Sequence, residues 1–267
     1  MSGASHELLA RVAAIARQAG REILEIYASG ELVATTKADA SPLTAADLRA
    51  QQLILHALRE LTPDVPVLSE EAVHARFAQR SQWRRYWLVD PLDGTREFLS
   101  RNGQFTVNIA LIEGHAPALG VVHVPVTDMS YRGLPGVGAW RQTSAAPCEA
   151  IHVAARASAP VRVVGSRSHR GDSLDAFLTR VGAHELIAVG SSLKFCMVAE
   201  GAADVYPRLG PTSEWDTAAA HAVLTGAGGS VSRLDGEPLR YNTREELLNP
   251  FFVAYGPRDR DWLALLR

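Results

Sequence analysis

The sequence predicts a mixed α/β chain, an α+β half joined to an α/β half, and three features carry that reading. Apolar residues near the start recur at helical spacing; residues 86–140 break into short β-rich runs separated by Gly/Pro turns; past about residue 145 strand-like and helix-like stretches alternate.

The first helix rests on Leu8, Leu9, Val12, Ile15, Ala16, Ala19, Ile23 and Ile26, one apolar face that should stop near Ala28-Ser29-Gly30. A second opens after Pro42, where Thr44 precedes Asp47 by three residues, the spacing of a capping box; Leu48, Leu55, Leu58 and Leu61 mark its apolar face and Pro63 ends it. The two helices should pack together. The runs TVNIALIEG, PALGVVHVP, DMSYRG and GVGAW then form an antiparallel meander. In the second half VRVVGSR reads as a strand, 173–181 as a helix, HELIAVG as a strand, 192–200 as a helix, ADVYPRL as a strand and 216–224 as a helix, followed by GGSVSRL and FFVAYG. The stretch TSAAPCEA at 143–150 has the weakest periodicity, so we divide the chain into an N-terminal lobe, 1–145, and a C-terminal lobe, 146–267.

With 267 residues, 47% of them hydrophobic, the chain can bury a substantial core. A net charge of -2 with interspersed signs gives no basic field for a nucleic-acid polymer. The two cysteines, Cys148 and Cys196, sit in no zinc or disulfide spacing, and Cys196 reads as a small buried hydrophobe. The first twenty residues carry Arg and Glu among their apolar positions, unlike a signal peptide, and no run reaches about 18 apolar residues. These features fit a cytoplasmic protein without a transmembrane segment. They leave open monomer or homodimer, and peripheral contact with the cytoplasmic face of the inner membrane.

The chemistry concentrates in WLVDPLDGTREF, residues 87–98. Pro91 biases Asp90 toward an extended conformation, so Asp90 should close a strand while Leu92 and Asp93 turn back over its end. Two like charges so close are tolerable with a cation between them, and hard oxygen ligands select Mg²⁺ or a similar ion rather than zinc. The plainer reading is a strand end followed by an Asp93-Gly94 turn. Glu70 and Glu71 follow the apolar VPVL, Asp47 sits three residues after its cap, and Asp216 opens an Ala-rich helix able to pack closely on another element. Each has a structural alternative as well: a solvated loop acid for Glu70, a helix cap for Asp47 and for Asp216.

Taken together and in order, SPLTAADLRA, VLSEE, WLVDPLDGTREF and EWDTAAAHA resemble the inositol monophosphatase superfamily of metal-dependent, lithium-sensitive phosphatases, over nearly the whole chain. Within it, KADASPLTAAD, TPDVPVLSEE, SRSH, GSSLKFCMVAEG and YPRLGPTSEWDTAAAHAV are similar to the bacterial CysQ-type 3′(2′),5′-bisphosphate nucleotidases. That family usually carries Lys where Arg96 stands here. The resemblance implies a layered αβαβα sugar-phosphatase-like fold and removal of the 3′-phosphate from adenosine 3′,5′-bisphosphate, a by-product of sulfate activation. It also implies Glu70, Asp90, the Leu92 carbonyl, Asp93 and Asp216 as ligands of two or three Mg²⁺ ions, and inhibition by Li⁺ and Ca²⁺. Such ions polarise a phosphoryl group and stabilise a leaving oxygen.

By the same resemblance Asp47 and Thr95 handle the proton, since a threonine hydroxyl is a poor base without a carboxylate behind it. Backbone N–H groups of Gly94 and Thr95 offer a site for the transferred phosphate, where Gly94 permits close approach. The resemblance further implies that Ser166, His169, Gly190, Lys194 and Arg208 contact the nucleotide, with cations meeting the 5′-phosphate, and that Glu70, Asp93 and Asp216 face the substrate as well. Two rivals stand beside this reading. An inositol monophosphatase or fructose-1,6-bisphosphatase-like enzyme would share every metal ligand, and a non-catalytic nucleotide sensor would have no need of Asp47 and Thr95.

Overall fold

Ser5 opens α1 (His6–Ser29) by accepting a hydrogen bond from the Leu8 N–H, and Gly30 ends it in a left-handed conformation at φ 78°. The computed structural model describes residues 4–30, 34–36, 42–166 and 172–266. Strands β1 (Ala34–Thr36) and β2 (Pro42–Thr44) pair antiparallel and lead into α2 (Ala45–Leu61), which begins with the capping box expected at Thr44 and Asp47. As predicted, α1 and α2 pack together, and both lie against one side of a large sheet; the face that α2 buries is Ala46, Ala50, Ile54 and Leu58, while Leu48, expected on it, is exposed, because the sheet lies under the smaller residues.

That sheet runs β3 (Val67–Ser69), β4 (Arg85–Asp93), β5 (Thr106–Glu113), β6 (Ala116–Val124), β7 (Met129–Leu134), β8 (Gly138–Gln142), β9 (Glu149–Ala150) in spatial order. The meander is antiparallel, and only the β3–β4 pair is parallel. Two short helices, α3 (Phe77–Arg80) and α4 (Thr95–Leu99), precede and follow β4. Strand β9 lies inside the low-periodicity stretch 143–150 yet belongs to this sheet.

Side chains alternate between the faces of a strand, and here both faces are covered. Trp87, Val89, Val107, Ile109 and Val121 point toward α1 and α2, whereas Leu88, Ala110, Ile112 and Val122 join a second core on the other side. This is why the meander strands read as continuous apolar runs instead of polar/apolar alternation.

The second core is shared with a five-stranded sheet of order β11 (His184–Val189), β10 (Val161–Ser166), β12 (Val205–Arg208), β14 (Phe252–Tyr255), β13 (Ser230–Arg233). Between the two sheets lie α6 (Leu193–Ala199) and α7 (Glu214–Gly226); α5 (Asp172–Val181) covers the far face of the smaller sheet with Trp262. The layers are therefore α, β, α, β, α.

Helix α7 lies unusually close to the large sheet. A Cβ at Gly120 would sit 2.2 Å from the Ala219 carbonyl oxygen, and one at Gly133 2.4 Å from the Val223 Cα. Glycines on the strands and alanines on the helix thus form a tight seat, the close packing that the Ala-rich start of this helix foreshadows. It fixes where Asp216 stands.

Candidate active site

Three backbone devices bring carboxylates to one place. The parallel pairing of β3 on β4 sets Ser69 opposite Val89, and the Glu70 N–H donates to the Val89 carbonyl at 3.1 Å, which delivers Glu70 beside Asp90. The β4–β5 register shifts between Asp90 and Asp93, and the Leu92 N–H donates to Asp90 Oδ1 at 3.0 Å; the strand does not close at Asp90, as Pro91 suggests, but bulges there and runs on to Asp93, which pairs with Thr106. The start of α7 supplies Asp216, whose Oδ2 accepts from the Ser213 N–H at 2.9 Å and from Thr212 Oγ1 at 2.7 Å.

Glu70, Asp90 and Asp216 each place a carboxylate oxygen within 4.8 Å of the others. Burial, reinforced by the charges of Glu70, Asp93 and Asp216, holds the Asp90 carboxyl well above its ordinary range; burial and the neighbouring Asp93 push Asp216 up to about 6. The donors are oxygens alone, and their mutual repulsion is relieved by protons or equally by a hard divalent cation. The set fits Mg²⁺ by charge and by ligand type.

Thr95 follows Gly94, whose φ of 91° turns the chain from β4 into α4. Its hydroxyl lies 3.4 Å from Asp47 Oδ1 and 3.4 Å from the Leu92 carbonyl. Asp47 Oδ2 meanwhile accepts from the Thr44 N–H at 2.8 Å and from Thr44 Oγ1 at 2.6 Å. Asp47 is thus both a cap and the partner of Thr95.

A cavity of about 180 Å³ opens beside the carboxylates, lined among others by Asp93, Gly94, Gly190, Lys194, Arg208 and Asp216. Lys194 is buried, donates to the Ser191 carbonyl at 2.6 Å and stands 5.6 Å from the centre of the Tyr206 ring. Burial lowers its ammonium to about 8 despite Asp93 nearby. Gly190 donates its N–H to Gln104 Oε1 at 2.9 Å, and a Cβ there would meet Glu97 Cγ at 2.7 Å. Ser166 closes β10 opposite Val189; His169 lies outside the described residues. A larger cavity of about 320 Å³, between the start of α1 and the end of α2, holds none of the clustered carboxylates.

Several residues of this site carry no sequence signal. Asn108, buried in β5, donates to Asp93 Oδ2 at 3.3 Å and to Ser192 Oγ at 2.9 Å, while Ser192 Oγ donates to the Asp216 carbonyl at 2.5 Å. Four segments meet there, joined by bonds between residues 15 to 84 positions apart in sequence. Tyr206 beside Lys194 is legible only once β12 is known to line the cavity.

The model of the inositol monophosphatase family matches residues 5–260. The chain belongs to the inositol monophosphatase family. Among members of this family, the 3′(2′),5′-bisphosphate nucleotidase CysQ of Salmonella typhimurium is 49% identical over 246 residues, 92% of this chain and 98% of that protein. The protein of the same name from Buchnera aphidicola is 41% identical over 93% of each chain. The crystal structure of CysQ from Bacteroides thetaiotaomicron, another inositol monophosphatase family member, superposes with a TM-score of 0.82 at 41% identity, covering 96% of this chain and 98% of that one. The extragenic suppressor protein SuhB of Bartonella henselae shares the fold at a TM-score of 0.80 and 24% identity, covering 98% of this chain and 97% of that one.

Proposed function

We propose that this chain is a metal-dependent 3′(2′),5′-bisphosphate nucleotidase that hydrolyses the 3′-phosphate of adenosine 3′,5′-bisphosphate, leaving AMP and inorganic phosphate. The observation that carries the reading is that Asp93 and Asp216 line the same cavity as Lys194 and Arg208, so the acidic cluster is continuous with a cavity that also carries cations. Relatives named for this activity, at up to 49% identity over 92% of the chain, support it.

In this reading Glu70, Asp90, Asp93, Asp216 and the Leu92 carbonyl hold two or three Mg²⁺ ions. When bound, these supply Lewis-acid polarisation of the phosphoryl group, activation of water and stabilisation of the leaving ribose oxygen. The chain's own residues do the rest. Thr95 Oγ accepts a proton from the attacking water and passes its own toward Asp47 Oδ1, which is already within 3.4 Å. The cap bonds from Thr44 keep that carboxylate from turning away. Gly94 leaves room for the transferred phosphate against the Gly94 and Thr95 N–H groups. Lys194 and Arg208 meet the 5′-phosphate, with Ser166, His169 and Gly190 contacting the nucleoside. No helix of the described residues is long and apolar enough to cross a membrane, and free Cys148 and Cys196 fit a reducing cytoplasm.

The test is phosphate release from adenosine 3′,5′-bisphosphate, inositol 1-phosphate and fructose 1,6-bisphosphate at equal concentration, with and without Mg²⁺. We expect Mg²⁺-dependent release with the bisphosphate preferred and AMP as the product. Adenosine 3′-phosphate as product, or full activity after exhaustive chelation, overturns the mechanism; preference for inositol 1-phosphate overturns the substrate.

A further inference from the structure

We propose that Gln51 is a positioning residue that fixes the Glu70 carboxylate in the metal cluster by gripping the chain on both sides of it, a role that rests on reading Glu70 as a metal ligand. Gln51 Oε1 accepts from Ser69 Oγ at 2.7 Å, and Gln51 Nε2 donates to the Glu71 carbonyl at 2.7 Å. One amide therefore straddles Glu70. The orientation of the amide is forced, because a carbonyl oxygen can only accept and so demands the NH₂ end. Ser69 is fully buried and Gln51 nearly so, which keeps water from competing for either bond.

The placement of Gln51 gives the grip its purpose. It lies one helical turn after Asp47 on α2, on the same buried face. The turn of helix that holds the carboxylate behind Thr95 therefore also holds the segment carrying Glu70, so the proton acceptor and the metal ligand are referred to one rigid body. Glu70 follows a three-residue strand and its N–H donates to the Val89 carbonyl; the amide adds a hold from α2 on the residues to either side. Ser69 is braced from its other side, where its carbonyl faces His74 Nε2 at 3.0 Å. The amide ties the residues on both sides of Glu70 to α2.

The experiment is Mg²⁺ titration by calorimetry on the full chain without substrate, alongside the melting temperature in chelator. Gln51→Met keeps the volume and removes both hydrogen bonds; we expect Mg²⁺ affinity to fall about 10-fold or more, the usual range for partners that orient ligands. Ser69→Ala removes one bond and should give a smaller loss, and the double variant should lose no more than Gln51→Met, since Ser69 then has no partner to lose. At saturating Mg²⁺ the KM for the bisphosphate should stay unchanged. A lower melting temperature with unaltered Mg²⁺ affinity makes Gln51 a packing residue and overturns the proposal. So does additivity of the two variants. Should Gln51→Met fail to fold, unchanged affinity in Ser69→Ala has the same consequence. An unmodified chain that binds no Mg²⁺ would instead overturn the metal-site reading itself and this proposal with it.

Discussion

Asp47 uses Oδ2 to hold the start of α2 and Oδ1 to face Thr95, so an amide in its place can keep the cap while losing the base. Asp47→Asn should lower kcat by about 10²–10⁴-fold, the span of a general base, with Mg²⁺ affinity and melting temperature little changed; kcat and calorimetry on the same preparation check it. Asp216 shows the same double use: Oδ2 caps α7 through Ser213 while the carboxylate belongs to the acidic cluster. The sequence offers the cap and the site role as alternatives, but in both aspartates one oxygen caps the helix while the carboxylate also faces the site, so the two readings do not exclude each other. Lys194 makes a different test. A lysine must keep its proton to attract phosphate, and with its ammonium lowered to about 8 that attraction is complete well below pH 8 and is lost as pH rises through it. We expect kcat/KM for adenosine 3′,5′-bisphosphate to decline above about pH 8 while that for a small monoester does not. Lys194→Ala should raise KM for the bisphosphate about 10- to 100-fold, the loss of one charge-assisted hydrogen bond, and abolish the difference between the two pH profiles.

At the scale of elements, β3, β4 and α7 each bring one carboxylate to the cluster, and the cost of gathering them is a function of pH. The folded-state values of Asp90 and Asp216 are raised, so the metal-free native state binds more protons than the unfolded chain, and stability falls as pH rises from about 4 through about 6. Buried His123 and His221, lowered to about 4 and about 3, act in the opposite sense: they must charge on unfolding in acid, and stability is lost as pH falls below 6.5. Absolute melting temperatures therefore mix two opposing slopes. The difference between melting temperatures with Mg²⁺ and with chelator cancels the histidines, and we expect it to grow as pH rises from about 4 through about 6, where Asp216 gives up its proton. A flat difference would remove the carboxylates from the metal site. These elements were largely legible. The i, i+3 cap at Thr44 and the apolar face of α1 follow from local chemistry, whereas the face that α2 buries, Ala46, Ala50, Ile54 and Leu58 with Leu48 exposed, and the run of β4 past Asp90 to Asp93 are decided by packing and pairing with the sheet. Contacts such as Gln51 to Glu71, Asn108 to Ser192 and Tyr206 to Lys194 were not legible, because each joins polar residues whose neighbours in sequence carry no period and whose partners are fixed only by tertiary packing.

For the whole molecule, one core serves both sheets: Leu88, Ala110 and Val122 of the large sheet share it with Val164, Phe252 and Ala254 of the small one, through Phe195 of α6 and Ala219 of α7. Neither half buries its inner face alone. We expect one cooperative calorimetric transition, with equal calorimetric and van't Hoff enthalpies, and two resolved transitions would refute the shared core. The seat of α7 on the sheet has a consequence for genetics. At Gly120 and Gly133 the atoms that an added methyl group would strike include main-chain atoms of Ala219, Ala222 and Val223, which substitution cannot remove. At Gly20 the obstacle is a side chain, the imidazole of His123 at 2.6 Å. A screen for second-site revertants should therefore divide the glycines: Gly20→Ala regains function through a smaller residue at 123, whereas Gly120→Ala yields no compensating change at the residue it touches and reverts only to glycine.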